Sequence, residues 1–209
     1  MTQPDSERRV HGPFNVPAAE RNKVFILQAL RGCVPPSGAV LEIASGTGQH
    51  VVHFAKALRT LIWLPSEPDA GLRESIETRL RREALDNVRA PLNLDVRRRP
   101  WPVTEVDAIV CINMIHVAPW AATRALLEGA AEVLGDGGLL FLYGPYRRGG
   151  AHTAPSNAAF DARLRAENPA WGVRDLDAVE ALGAQAGVFL DRVIEMPANN
   201  LSVVFRRGA

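Results

Sequence analysis

The chain has 209 residues, of which 47% are hydrophobic and 22% charged, so it can form one globular domain and is too apolar for wholesale disorder. Its 24 lysines and arginines nearly balance 23 acids, which argues against a dedicated nucleic-acid or anionic-membrane surface. The two cysteines, Cys33 and Cys111, are far apart and do not form a metal-type pair. Because no segment resembles a signal peptide or a bilayer-spanning run, we expect a cytoplasmic protein.

The N-terminal part of the chain divides into an arm and a first helix. Residues 1–16 are polar, with prolines and a glycine, and are expected to form a loose arm. Pro17 favours the first turn of a helix, and Gly32 is a plausible end for it. The rest of the chain, residues 17–209, contains no linker-like stretch, so we expect a single domain there.

Strand-like and helix-like segments alternate along that domain. Helical spacing of apolar residues is found over 51–58, 72–80, 120–134, 156–167 and 175–186. The predicted strands are residues 39–44, 61–64, 88–94, 108–113, 139–143, 188–194 and 201–206. This alternation predicts an α/β fold with a mostly parallel sheet and helices on both faces. The short connection before the last strand lets that strand run antiparallel.

A glycine turn follows the first predicted strand in the stretch VLEIASGTGQH, residues 40–50. Gly46 and Gly48 allow a tight turn and a close approach of the backbone to a ligand, and the following helix presents the positive end of its dipole there. Glu42 lies just ahead of the glycines, where a carboxylate suits a ligand that carries an ammonium group. The turn also has a purely structural interpretation, as the closure of a strand–helix connection.

Further candidates follow from position alone, because ligands of open parallel sheets bind at the carboxyl ends of the strands. Glu67 follows the second strand about 20 residues after the glycine turn, where an acid can accept both hydrogen bonds of a ribose diol. Asp95 follows the third strand and can accept from an exocyclic adenine amine. Asn113 follows the fourth strand. As alternatives, the two acids can be helix caps or surface residues, and Asn113 a strand-end cap.

The third glycine of a dinucleotide-binding loop is missing. In the pattern G-x-G-x-x-G, that position is held here by Val51. A nicotinamide-dependent oxidoreductase therefore remains an alternative function, but the missing third glycine argues against it.

Several motifs together resemble a known superfamily and one family within it. EIASGTGQH, Glu67, LDV at 94–96 and DAIVCINMIH at 107–116 resemble the cofactor motifs of class I S-adenosylmethionine-dependent methyltransferases. PAAERN at 17–22, SGTGQH, W-x-P-S-E at 63–67, GPY at 144–146 and MPANN at 196–200 resemble the domain of unknown function 938, called methyltransferase-like 26 in animals. The resemblance runs from about residue 14 to residue 207.

This resemblance implies a Rossmann-like sheet of seven strands with the last one antiparallel, and S-adenosylmethionine as cofactor. It implies that Gly46 and Gly48 lie against the methionine part of the cofactor, that Glu67 binds the ribose and Asp95 the adenine, and that Asn113 lies near the amino-acid or sulfonium end. The full set of cofactor residues that we expect is Arg21, Asn22, Glu42, Ala44, Gly46, Gly48, His50, Glu67, Asp95 and Asn113.

The expected activity is methyl transfer to an unidentified, small acceptor molecule. His116, after the fourth strand, is the candidate general base, and His50 and His152 are weaker ones. Tyr143, Tyr146 and His152 are candidates for the acceptor pocket, with residues 144–187 as a lid and substrate region that begins with a loop over 144–155. A catalytically silent cofactor-binding or partner-binding module is the other alternative.

Overall fold

The structure, a computed structural model, describes residues 15–208, so the predicted arm lies almost wholly outside the described residues. The helices are α1 (Pro17–Arg31), α2 (Gln49–Ala57), α3 (Ala70–Glu83), α4 (Trp120–Val133), α5 (Pro155–Glu167) and α6 (Leu176–Ala186). The strands are β1 (Gly38–Ile43), β2 (Leu61–Pro65), β3 (Val106–Ile112), β4 (Leu134–Arg148), β5 (Ala151–His152), β6 (Arg174–Asp175), β7 (Val188–Met196) and β8 (Asn200–Arg207).

The main sheet has the strand order β2-β1-β3-β4-β8-β7. Strands β2, β1, β3 and β4 are parallel, whereas β8 pairs antiparallel with both β4 and β7. The chain passes from β1 to β2 on one side and later returns to β3 on the other. The strand order therefore reverses beside β1, which is where open α/β sheets bind their ligands. The predicted Rossmann-like fold with an antiparallel last strand is confirmed.

The strand count differs from the prediction, since the described residues form eight strands and not seven. The predicted third strand, residues 88–94, forms only two isolated bridges, Trp63 to Val88 and Ser66 to Leu92. Pro91 interrupts this segment, because proline has no N–H to donate to a ladder. Two short strands, β5 and β6, were not predicted and pair with the end of β4.

Strand β4 is longer than predicted at both ends. It begins at Leu134, directly after α4, and continues to Arg148. The predicted loop over 144–155 therefore begins as strand, because β8 pairs with β4 as far as Pro145 and β5 and β6 pair with the residues that follow.

The sheet separates two apolar cores. Successive residues of β1 point to opposite faces, so that Val40 packs with α1 and α2 while Leu41 packs with α4 and α6. Both side chains are fully buried. Burial of each large apolar side chain stabilises the fold by about 1.5–3 kcal/mol. The cores hold the carboxyl ends of the strands in fixed positions. Among residues 15–208, none of the helices has the length and apolar character needed to cross a bilayer.

Candidate functional site

The turn between β1 and α2 has the backbone conformation that its glycines allow. Gly46 and Gly48 have φ of 57° and 81°, in the left-handed region, and Ala44 also has a positive φ of 53°. A Cβ on Gly48 would lie 3.2 Å from Ile76, so this position has both a conformational and a steric need for glycine. The Gly46 N–H donates to Glu67 Oε2 over 3.0 Å, which ties the turn to the end of β2.

A small cavity of about 140 Å³, the glycine-loop cavity, lies between this turn and α1. Its walls include Asn22, Glu42, Ala44, Gly46, His50 and Asn113.

The carboxylate of Glu42 is the most unusual group of the glycine-loop cavity. Glu42 is only 1% exposed, and neither of its carboxylate oxygens has a hydrogen-bond partner. Burial raises the pKa of Glu42 to about 8, opposed by the nearby Ser45 hydroxyl and reinforced by the charge of Glu67. A buried carboxyl group without a partner is costly, so the site favours a cation that could supply one.

A second cavity of about 480 Å³, the strand-end cavity, adjoins the first and shares Ala44 and Gly46 with it. Its other walls include Glu67, Leu94, Asp95, Arg97, Met114 and Trp171.

Two carboxylates of the strand-end cavity are held by local hydrogen bonds. Glu67 Oε1 accepts from the Asp69 N–H over 3.3 Å, and burial raises the pKa of Glu67 while its backbone hydrogen bonds oppose the rise. Asp95 accepts from the Arg97 guanidinium, with 2.7 Å between Oδ2 and Nη2, and this hydrogen bond lowers the pKa of Asp95. Asp95 therefore stays ionised as a hydrogen-bond acceptor.

A third cavity of about 860 Å³, the outer cavity, continues from the glycine-loop cavity, with which it shares Asn22 and Asn113. Its walls include Arg21, Tyr143, Asn157, Phe160, Arg163 and Asn199. The glycine-loop cavity therefore lies between the other two, with Asn113 where it meets the outer cavity. Asn113 has a positive φ of 62° and its N–H donates to Tyr143 O over 2.8 Å.

Helix α1 is tied to α2 by polar contacts that border the glycine-loop cavity. Burial lowers the pKa of His50 to about 4, so the ring is neutral and its Nε2–H donates to Asn22 Oδ1 over 2.8 Å. Gln49 accepts from the Val16 N–H over 2.6 Å and donates to Glu20 over 2.6 Å. Sequence reasoning missed Gln49, although it stands in the SGTGQH motif. It also missed Arg97 and Trp171, which no motif marks.

The structure does not place His116 where a general base is needed. Its ring is fully buried, lines none of the three cavities, and packs 5.1 Å from the Tyr146 ring. Burial and the charge of Arg174 lower the pKa of His116 to about 3, and its Nδ1 accepts from the Arg174 N–H over 3.3 Å. Its burial and lowered pKa therefore argue against the expected role of His116 as base.

Three further expectations need the same kind of correction. Tyr146 is fully buried and lies outside the outer cavity, so it packs under the site and does not line it. His152 lies 3.3 Å from Asp161 Oδ2 and is likewise absent from the cavity walls. Arg21, expected near the cofactor, lines only the outer cavity, whereas its neighbour Asn22 borders both. Tyr143 lines the outer cavity as expected.

Comparison with known proteins gives a family and a fold. The family described as "Protein of unknown function (DUF938)" matches residues 14–207.

Solved structures of methyltransferases share the fold at low sequence identity. CalO1, a methyltransferase in calicheamicin biosynthesis with SAH bound, is 16% identical over 92% of this chain and 54% of that chain, with a TM-score of 0.76. Human N-acetylserotonin methyltransferase in complex with SAM is 13% identical over 92% of this chain and 53% of that chain, with a TM-score of 0.78. This chain thus spans about half the length of these two proteins. The YcgJ protein of Bacillus subtilis is 13% identical, with a TM-score of 0.70, over 91% of this chain and 99% of that chain.

Proposed function

Because this chain belongs to the DUF938 family and has a class I methyltransferase-like fold, we propose that it is an S-adenosylmethionine-dependent methyltransferase with a small-molecule acceptor. The cofactor would occupy the glycine-loop and strand-end cavities, and the acceptor the outer cavity. The first two cavities measure about 140 and 480 Å³, and their combined volume lies within the range of roughly 300–1,000 Å³ that is usual for ligand sites.

The observation that carries this proposal is the unpartnered carboxyl group of Glu42. It borders the cavity beside the glycine turn and lacks a hydrogen-bond donor. The ammonium group of a methionine moiety supplies both the donor and the positive charge. A dinucleotide would instead bring a pyrophosphate toward this acid, which disfavours the nicotinamide alternative.

The strand-end cavity has groups that suit the adenosine part. Glu67 keeps lone pairs free beyond its two backbone hydrogen bonds and could accept from both ribose hydroxyls. Asp95, held by Arg97, could accept from the adenine amine, with Leu94 and Met114 on the apolar walls of the same cavity.

The chain contributes mainly alignment and exclusion of water. Bound S-adenosylmethionine supplies a methyl group on a sulfonium, which is already reactive toward nucleophiles. Holding an acceptor in line with that group is worth up to about 7–11 kcal/mol of the barrier. Asn113 and Asn22 lie where the glycine-loop cavity meets the outer cavity. They are the polar side chains best placed to orient the acceptor. Helix α5, in the proposed lid region 144–187, forms a wall of the outer cavity.

The described walls of the outer cavity offer little for general base catalysis. Apart from the two arginines, Tyr143 is the one ionisable side chain of these described walls. Burial raises the pKa of Tyr143, so its hydroxyl is protonated at neutral pH. The acceptor atom must therefore be nucleophilic without help from a side-chain base. The same observation is what a catalytically silent S-adenosylmethionine-binding module would show, so that function is kept as a second candidate.

Calorimetry with S-adenosylhomocysteine and with NADH tests the cofactor. We expect saturable binding of S-adenosylhomocysteine and none of NADH, and the reverse result would overturn the proposal. Purified protein with methyl-labelled S-adenosylmethionine and fractionated metabolite pools then tests activity. Transfer of label to a small molecule supports an enzyme, whereas cofactor binding without transfer in any fraction supports the silent module.

A further inference from the structure

The outer cavity carries positive charge without a counter-charge. Arg21 on α1 and Arg163 on α5 both line it, and its described lining residues include no acid. Within residues 15–208, neither guanidinium group forms an ion pair or donates a hydrogen bond. Arg163 does contact a neighbour, since its guanidinium lies 5.1 Å from the centre of the Phe160 ring. A guanidinium stacked on a ring keeps its N–H groups free for an oxyanion.

The backbone of the outer cavity adds to this positive potential. Helix α5 begins at this cavity, where Ser156 and Asn157 of its first turn are wall residues. Its N-cap residue, Ala154, has no side chain that can accept from the free N–H groups, and no cap hydrogen bond is formed. The positive end of the helix dipole therefore lies beside one end of this cavity wall, where it favours an anion.

The wall next to the start of α5 is held in a strained conformation. In the turn at 197–200, Ala198 and Asn199 have φ of 58° and 57°, which residues with a Cβ rarely adopt. The turn is fastened to α5, since the buried Asn157 Nδ2 donates to Asn199 O over 2.9 Å and Asn199 Nδ2 donates to Ser156 Oγ over 3.2 Å. These two hydrogen bonds hold the turn against α5 and fix this part of the cavity wall.

Apolar surface completes the outer cavity. Phe25, Phe160 and Tyr143 line it, and Phe25 is 44% exposed although it is a large hydrophobic residue. We propose that the outer cavity binds a small organic anion, whose carboxylate or phosphate lies between Arg21 and Arg163 and whose aromatic or aliphatic body lies on these rings. The assignment of this anion as the methyl acceptor rests on the proposed function, whereas its binding does not.

The test is a titration of matched anionic and neutral compounds into the full chain. The probes are phenylacetate with phenylacetamide, indole-3-acetate with indole-3-acetamide, and phenyl phosphate with phenol. Each is titrated by ligand-observed NMR with and without saturating S-adenosylhomocysteine. We expect anions to bind at least about tenfold more tightly than their neutral partners, as charge-assisted hydrogen bonds to arginine imply. A preference between the carboxylates and phenyl phosphate identifies the head group.

The arginine variants Arg21→Gln and Arg163→Gln should each remove most of that preference. Arg124→Gln, on the exposed face of α4 and away from the cavity walls, is the matched control and should keep it. Equal binding of anions and amides, binding of neither, or an unchanged preference in both arginine variants would overturn the inference. S-adenosylhomocysteine binding is measured on the same samples. Its absence would reject the proposed function, and anion selectivity would still stand or fall on its own result.

Discussion

Acids predominate among the ionisable groups of the inner part of the cleft, and arginines among those of the outer part. Arg97 also lines the inner part, where it is paired with Asp95. The glycine-loop and strand-end cavities hold the carboxyl groups of Glu42, Glu67 and Asp95, whereas the outer cavity holds the guanidinium groups of Arg21 and Arg163. Asn113, an uncharged residue, lies where the two parts meet. Under the two proposals above, such a cleft would place the ammonium group and ribose hydroxyls of the cofactor inside and an organic anion outside.

The two parts also differ in how firmly their charges are held. Glu42 and Glu67 are 1% and 6% exposed, and Glu67 is fixed by backbone N–H groups. Arg21 and Arg163 are exposed side chains on helices, free of ion pairs within the described residues. Buried groups in a rigid loop suit one fixed ligand, while exposed cations suit ligands that vary. This difference is what we expect if the inner part binds the proposed cofactor and the outer part accepts anions of varied shape.

The largest expected effect comes from removing two inner carboxylates together. The variant Glu67→Ala with Asp95→Ala should weaken S-adenosylhomocysteine binding at least about hundredfold, because two charged acceptors worth roughly 1.5–3 kcal/mol each are lost. Calorimetry measures the change, and Glu128→Gln, an exposed acid on α4, is the control. Circular dichroism reports whether loss of the Gly46 hydrogen bond has unfolded the chain. Unchanged affinity in a folded double variant would show that Glu67 and Asp95 do not bind the cofactor, and the proposed ligand of the inner part of the cleft would be rejected.

A second prediction separates residues that support the cleft from residues that face it. A Cβ on Gly144 would lie 2.3 Å from His116 Nε2 and 3.1 Å from Asn113 Oδ1. Since the His116 ring is fully buried, Gly144→Ala should lower the free energy of unfolding by about 2 kcal/mol. Urea denaturation measures the change.

The matched control for Gly144→Ala lies on the same strand. In Gly135→Ala the new Cβ meets only Glu105, at an ordinary 3.7 Å, so the change in unfolding free energy should stay within about 0.5 kcal/mol. If both variants were equally stable, His116 would not be packed against β4, and its dismissal as a base would have to be withdrawn.

Sequence patterns predicted the inner half well because it is built from local features. A strand, a glycine turn and an acid after the next strand are all readable along the chain, and they place Gly46 near Glu67 at 3.0 Å. The predicted third strand forms only two isolated bridges. The sequence pattern could not show how strongly Pro91 would disrupt strand pairing there. Glu42 was predicted to lie near a ligand, but its lack of any hydrogen-bond partner is a result of tertiary packing that no sequence pattern shows.

The outer half was poorly predicted because tertiary contacts build it. Its walls come from α1, α5 and the turn before β8, segments that no single motif joins. His116 follows β3 in sequence, but its ring packs closely against Gly144 of β4. The ring is buried there and lines none of the three cavities. Position after a strand is therefore enough to identify the residues of the glycine turn. It does not show whether a side chain farther along the chain points into the cleft or into the core.

The smallest expected effect concerns the proton on Glu42. With a pKa of about 8, this group is largely protonated at pH 6 in the free protein. An ammonium group favours the ionised form, so binding of S-adenosylhomocysteine must release a proton from Glu42 when the pH lies below that pKa. The cost of releasing it falls as the pH rises toward 8. Affinity should therefore increase between pH 6 and pH 8.

Glu42→Gln keeps the shape of the side chain and removes both the charge and the proton. Its affinity should be about tenfold lower than that of the wild type at pH 8, nearly equal at pH 6, and flat between them. Calorimetry in phosphate and in Tris, which differ in ionisation enthalpy, counts the protons released, and the count at pH 7 should fall toward zero in the variant. Glu128→Gln should keep the wild-type slope. An identical pH dependence in Glu42→Gln would show that the released proton comes from another group. Glu42 would then not be the acid that distinguishes ligand binding in the inner part of the cleft from binding in the outer part.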